Sequence, residues 1–136
     1  MARKLPIGIR NFEKIRKDDY IYVDKSALVY QLVSTNSPYF LSRPRRFGKS
    51  LLMSTIEAYF LGKKELFSGL AMESLDKDWK KYPVLHLDLN AENYNSVESL
   101  ERILNEYLCF WEDKYGASAA ETSLSLRFKG IIRRAH

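Results

Sequence analysis

One cysteine, Cys109, is all that 136 residues carry. An internal disulfide is therefore excluded, and a reducing cytoplasm is the expected compartment. No stretch approaches the roughly 18 consecutive apolar residues that a membrane-spanning helix needs, so no membrane partner is expected. The opening Met1-Ala2-Arg3-Lys4-Leu5-Pro6-Ile7 is basic but lacks the apolar centre of a signal peptide. The two histidines, His86 and His136, and the cysteine are far apart, so there is no local metal-ligand motif. No Ser-His-Asp constellation or carboxylate pair can be argued from spacing, and no catalytic residue is assigned. Internal repeats and low-complexity tracts are also absent.

What remains is the composition of one soluble globular domain, 46% hydrophobic and 29% charged, with nine Tyr, seven Phe and two Trp as core candidates. The formal charge is +5, with basic residues near Arg3, Lys14, Arg43, Lys63, Lys80 and Arg133. That spread argues against one dedicated nucleic-acid stripe.

Along the chain, residues 1–18 read as an irregular lead-in. Residues 20–23 suit a short strand, after which Asp24 is placed to cap a helix bearing Leu28, Val29 and Leu32 on its apolar face. Residues 34–38 form a loop cluster. Residues 39–41, Tyr-Phe-Leu, are a buried-strand candidate. From Ser50 onward, Leu52, Ile56, Tyr59 and Phe60 recur at helical spacing, and Gly62 is the expected stop. A helical turn is expected over 65–67. Residues 84–89 are the second good strand candidate, with Leu85, Leu87 and Leu89 on one face and His86 and Asp88 on the other. Asn95 and Glu98 have capping-box spacing ahead of the clearest helix, striped by Leu100, Ile103, Leu104, Tyr107, Leu108 and Trp111 and ended by Gly116. A last helix carries Leu124, Phe128, Ile131, Ile132 and Ala135. Tyr107 and Trp111 read as core, Cys109 as a packed or idle thiol with no nearby basic partner, and His86 as a strand-face residue.

One stretch points to a particular chemistry: Tyr39-Phe40-Leu41-Ser42-Arg43-Pro44-Arg45-Arg46-Phe47-Gly48-Lys49-Ser50-Leu51-Leu52. An apolar run, a proline-stiffened basic loop, Gly-Lys-Ser and a helical pattern follow one another in the order a phosphate-binding loop requires. Gly48 would let the backbone come close, Lys49 would reach the phosphates and Ser50 would ligate Mg²⁺. The tripeptide alone arises by chance in roughly one chain of this length in fifteen, so the flanking strand and helix must carry the argument. Against it, position 43 holds Arg where the usual pattern has a turn-forming Gly. A solvent-exposed basic turn capping a helix stays open beside the phosphate loop. Arg43, Arg45 and Arg46 would either clamp phosphates or serve solubility.

The string from Ser42 to Leu52 resembles the signature loop of the bacterial AAA-ATPase-like family, whose members often carry a PD-(D/E)XK-nuclease-type domain further along. Leu5-Pro6-Ile7-Gly8-Ile9, Tyr22-Val23-Asp24-Lys25-Ser26, Tyr82-Pro83-Val84-Leu85-His86-Leu87-Asp88 and Leu126-Arg127-Phe128 fit it too. The resemblance makes Arg43 a family variant. It implies ATP and Mg²⁺ as cofactors, a nucleotide as partner, and a binding segment of Arg45, Arg46, Phe47, Gly48, Lys49, Ser50 and Leu51 with Ser50 on the metal. It also implies an acidic Walker B strand following the last helix, which is not present in residues 1–136. Asp88 is a weak substitute, since no acidic residue follows it, and a structural role is its default.

The resulting expectation is an α/β fold: part of a P-loop NTPase-like three-layer arrangement with a short, mostly parallel sheet flanked by helices. Residues 1–136 read as the N-terminal portion of an AAA-like domain, truncated before Walker B. An exposed sheet edge would then favour self-association. ATP binding with weak or absent hydrolysis is the expected function. The alternatives are a non-enzymatic basic module meeting nucleic-acid phosphates, or a degenerate scaffold that binds neither.

Overall fold

The computed structural model describes residues 2–90 and 95–136. They form two compact units, the first ending at Val84 and the second beginning at Leu85. Helices and turns are the regular structure, and no strand occurs among the described residues. This overturns the expected α/β fold with a parallel sheet. Residues 20–23, 39–41 and 84–89 are extended, but a strand exists only where a second strand takes its N–H and C=O groups. Ile21 gives its N–H to the Lys4 carbonyl at 2.9 Å, and Asp88 gives its own to the Tyr107 hydroxyl at 3.2 Å. Neither bond belongs to a ladder. Burial does not follow the strand pattern either. Phe40 is 93% exposed, and Leu87 and Leu89 are exposed while Leu85 is partly buried.

The first unit is built from α1 (Phe12–Lys17), α2 (Ser26–Ser34), α3 (Lys49–Phe60), a 3-10 turn (Lys64–Phe67) and α4 (Ala71–Leu75). α1 replaces the irregular lead-in. It was hard to foresee because six residues are too few to show a 3.6 period. Asn11 caps it by accepting the Lys14 N–H at 3.0 Å. Phe12 and Ile15, one turn apart, are buried on one face. The Phe12 ring is fully buried, packed on Phe67 at 4.8 Å and edge-on to Tyr22 at 5.3 Å. Val29 from α2, Ala58 from α3, Leu66 and Phe67 from the turn, Leu70 just before α4 and Met72 within it complete this core.

Polar groups tie its elements together. Arg16 donates through Nε to the Leu66 carbonyl at 2.7 Å and through Nη2 to the Ser68 carbonyl at 2.6 Å, taking up carbonyls around the 3-10 turn. Asp24 accepts the Ser26 N–H at 2.9 Å and the Ala71 N–H at 2.8 Å. The fully buried Ser26 accepts the Met72 N–H at 3.0 Å through Oγ. Asp24 therefore takes the first N–H of both α2 and α4, one on each carboxylate oxygen, although Lys25 occupies the position just before α2 and has no side-chain cap bond of its own. Burial pushes the Asp24 carboxyl up, but the bonds from Ser26 and Ala71 outweigh it and leave it below its usual range.

The second unit pairs α5 (Val97–Tyr115) with α6 (Leu124–Ala135). Ser96, not Asn95, caps α5, accepting the Ser99 N–H at 3.3 Å. Both residue types cap well, and the helix starts one residue later than the Asn95–Glu98 spacing suggests. Gly116 ends it at φ 99° as expected. Leu108, Trp111 and Ile131 form the core. Across the pair, Arg127 makes a two-pronged contact with Glu112, Nε to Oε1 and Nη2 to Oε2, both at 2.7 Å. The hydrogen bonds from Arg127 hold the Glu112 carboxyl below its ordinary value. A carboxylate with a lowered folded-state value contributes stability above the unfolded value and loses it as pH falls through the folded one.

Glu112→Gln should therefore lower stability at neutral pH by about 1–3 kcal/mol. The difference from the parent chain should begin to shrink as pH falls below the unfolded-state glutamate value of about 4.3 and close only once the folded, lowered value is passed. Acid titrations of both chains followed by far-UV circular dichroism check this; a difference that grows on acidification would contradict it.

Candidate functional site

Gly48 sits at the cap position of α3 with φ 77° and ψ 15°, in the left-handed region, and no side chain caps the helix. The first ladder bond runs from the Leu52 N–H to the Gly48 carbonyl at 2.9 Å. The N–H groups of Lys49, Ser50 and Leu51 precede that bond, so they and the positive end of the helix dipole are available to an anion. A Cβ at Gly48 would meet nothing within 4 Å. Space ahead of the helix is open, and the need for glycine is conformational rather than steric. Two residues earlier, Arg46 adopts φ 67°. A side chain in that region costs about 1–2 kcal/mol, and strain of this kind collects at functional sites.

The loop is fully presented to solvent: every residue from 34 to 50 is exposed. The turn falls at residues 45–46, so position 43 lies outside it and needs no glycine. The Arg43 side chain reaches across the loop, donating from Nη1 to the Phe47 carbonyl at 3.4 Å. Leu51 behaves differently from the other site candidates, because it packs against the core of the first unit. Arg45, Arg46, Phe47, Gly48, Lys49 and Ser50 thus share one exposed turn and helix start, and Leu51 anchors it.

Electrostatics single out the same segment. Between Asp24 and Glu57 there is no carboxylate, while Lys25, Arg43, Arg45, Arg46 and Lys49 lie there, equal in number to the whole formal charge of +5. The rest of the chain is balanced, and much of it is visibly paired: Arg3 with Asp19, Lys17 and Lys63 with Glu13, Arg127 with Glu112, Arg134 with Glu121. Glu13, hydrogen-bonded by Lys17 and Lys63, is pulled down to about 2. The scattered positions of the basic residues hid this. The informative signal was the run without acids, not the placement of cations.

The other singled-out residues have structural surroundings. Asp88 Oδ1 accepts the Asn90 N–H at 2.9 Å and the Asn90 Nδ2 at 2.8 Å, a local turn contact. Among the described residues no group of three or more His, Cys, Asp or Glu is placed to hold a metal. Cys109 is exposed, and Arg127 Nη2 approaches its Sγ at 3.4 Å. The thiol does have a basic neighbour, but one 18 residues away in sequence, beyond the reach of local reading.

The family model described as Predicted AAA-ATPase matches residues 6–136. The chain belongs to that family. It is also similar to an "Uncharacterized protein in vnfD 5'region" of Azotobacter chroococcum mcd 1, 42% identical over 137 residues that cover 98% of this chain and 26% of the relative. The chain thus spans about a quarter of the length of the curated relative it matches. No solved structure matches it.

Gly48→Ala should destabilise the first unit by about 1–2 kcal/mol through backbone strain alone, since no contact is lost or crowded. Arg46→Gly, relieving the same kind of strain, should not destabilise it. Urea unfolding of the two variants beside the parent checks the contrast, and equal losses in both would refute it.

Proposed function

We propose that this member of the predicted AAA-ATPase family binds a nucleoside triphosphate, ATP, through its phosphates at the start of α3. The observation that carries the reading is the uncapped, left-handed Gly48 opening α3 within Arg45-Arg46-Phe47-Gly48-Lys49-Ser50, in the one segment that holds the chain's unbalanced positive charge. The N–H groups of the first helical turn would meet phosphate oxygens, Lys49 would add a mobile ammonium, and Arg45 and Arg46 would offer planar forks for the same oxygens.

The donor set also fits Mg²⁺ as it accompanies a triphosphate. The Ser50 hydroxyl is exposed at the second residue of the helix, and Mg²⁺ usually keeps several waters and takes its remaining oxygens from one or two protein groups and the phosphates. When bound, the metal would neutralise phosphate charge. The loop itself supplies no acid or base: residues 25–56 contain no carboxylate and no histidine. The function proposed for these residues is therefore binding, with weak or absent hydrolysis.

Isothermal titration of the chain with ATP, with and without Mg²⁺, is the test. Lys49→Ala should weaken binding by about 10- to 100-fold, the effect of removing a hydrogen bond to a charged group. Ser50→Ala should reduce mainly the Mg²⁺-dependent part. Equal ATP affinity in the parent and Lys49→Ala chains would overturn the reading.

A further inference from the structure

Two aromatic rings flank the loop cations, and neither belongs to the core. Phe40 is 93% exposed and Phe47 is 63% exposed. Tyr39, beside Phe40, is 55% exposed, with its hydroxyl bonded to Thr35. Between the rings lie Arg43, Arg45 and Arg46, and Lys49 follows, all of them exposed. An exposed phenylalanine is unfavourable without a partner to cover it. Two of them, on either side in sequence of a carboxylate-free run of cations, match a ligand that is anionic and aromatic together.

We infer that this segment binds single-stranded nucleic acid, with the loop cations on the phosphates and Phe40 and Phe47 each stacking on a base. A duplex keeps its bases stacked inside, whereas a single strand presents base faces that any aromatic ring can take. One nucleotide carries one base and can use one ring at a time; a strand can use both rings with the arginines between them. The cations are shared with the proposed nucleotide site, but Phe40 plays no part in that site, so the two readings can be separated.

The test is fluorescence anisotropy of the whole chain with a labelled single-stranded oligonucleotide of about 15 residues, enough for one binding site, and with the matching duplex. Single strands should bind more tightly than duplex. Phe40→Ala and Phe47→Ala should each weaken single-strand binding by about fivefold or more, the usual effect of losing one stacked base. Phe40→Ala should leave ATP affinity unchanged. The logarithm of affinity should fall with the logarithm of salt at a slope of about −2 to −3, as expected for three or four phosphate contacts on a single strand. Both rings are exposed, so the variants should keep the helical circular dichroism of the parent. Equal affinity for single strand and duplex, or no change in either phenylalanine variant, would overturn the proposal. So would ATP binding with no oligonucleotide binding, a result that leaves the nucleotide reading standing.

Discussion

A helix can offer its first turn to a ligand only if the rest of it is held in place, and in this chain the holding is done by the second turn of α3. Thr55 is buried, and its hydroxyl donates to the Leu51 carbonyl at 2.7 Å. Ser54 donates to the same carbonyl at 2.9 Å and accepts the Phe12 N–H at 3.0 Å. The helix start is thereby joined to the start of α1, and Phe12 in turn packs on Phe67 and Tyr22. Leu51, Leu52, Ala58 and Tyr59 bury the inward side of α3. Within one helix, Lys49 and Ser50 are exposed, whereas every residue from Leu51 to Phe60 except Met53 is at least partly buried. A short helix fixed this way loses little freedom when an anion meets its N-terminus, which is the advantage of preorganisation.

The charge distribution complements that geometry. Elsewhere cations and carboxylates are equal in number, and those in ion pairs contribute little field beyond a Debye length of about 8 Å at physiological salt. In the loop they are unmatched and concentrated in a few residues, so their potential adds to the helix dipole. Arg46 shows the cost: its backbone is held in a conformation a side chain resists. Glycine would relax the turn there, and arginine brings a charge instead.

Helices were legible where their periods were long. The stripe from Leu100 to Trp111 and the stops at Gly62 and Gly116 appear in the structure because amphipathic spacing and a positive-φ residue are local properties. The start of α3 at Gly48-Lys49 was legible for the same reason. Strands were not. Tyr39-Phe40-Leu41 has strand composition, but composition says nothing about whether another strand lies alongside, and in the described residues none does. The bond Asp24 makes to α4 was equally hidden, since the Ala71 N–H it accepts lies 47 residues away. In the site, the residue types were readable from the string around Gly-Lys-Ser. The open space at Gly48, the strain at Arg46 and the reach of Arg43 to the Phe47 carbonyl depend on backbone angles that the string does not encode.

The second unit shows how the same residue types behave when their charges are matched. Arg127 spends its guanidinium on Glu112, Asn105 and Cys109, and Arg134 is occupied by Glu121. These arginines are largely withdrawn from solvent, with side-chain exposures of 18% and 28%. Their donors are satisfied within the fold, and a phosphate would have to displace a carboxylate to reach them. Arg45 and Arg46 face no such competitor from their own segment. An arginine with a carboxylate beside it in space, as Arg127 and Arg134 have, holds its helices together. In this chain the long interval without acids, from residue 25 to residue 56, leaves one loop whose cations have nothing in sequence reach to neutralise them.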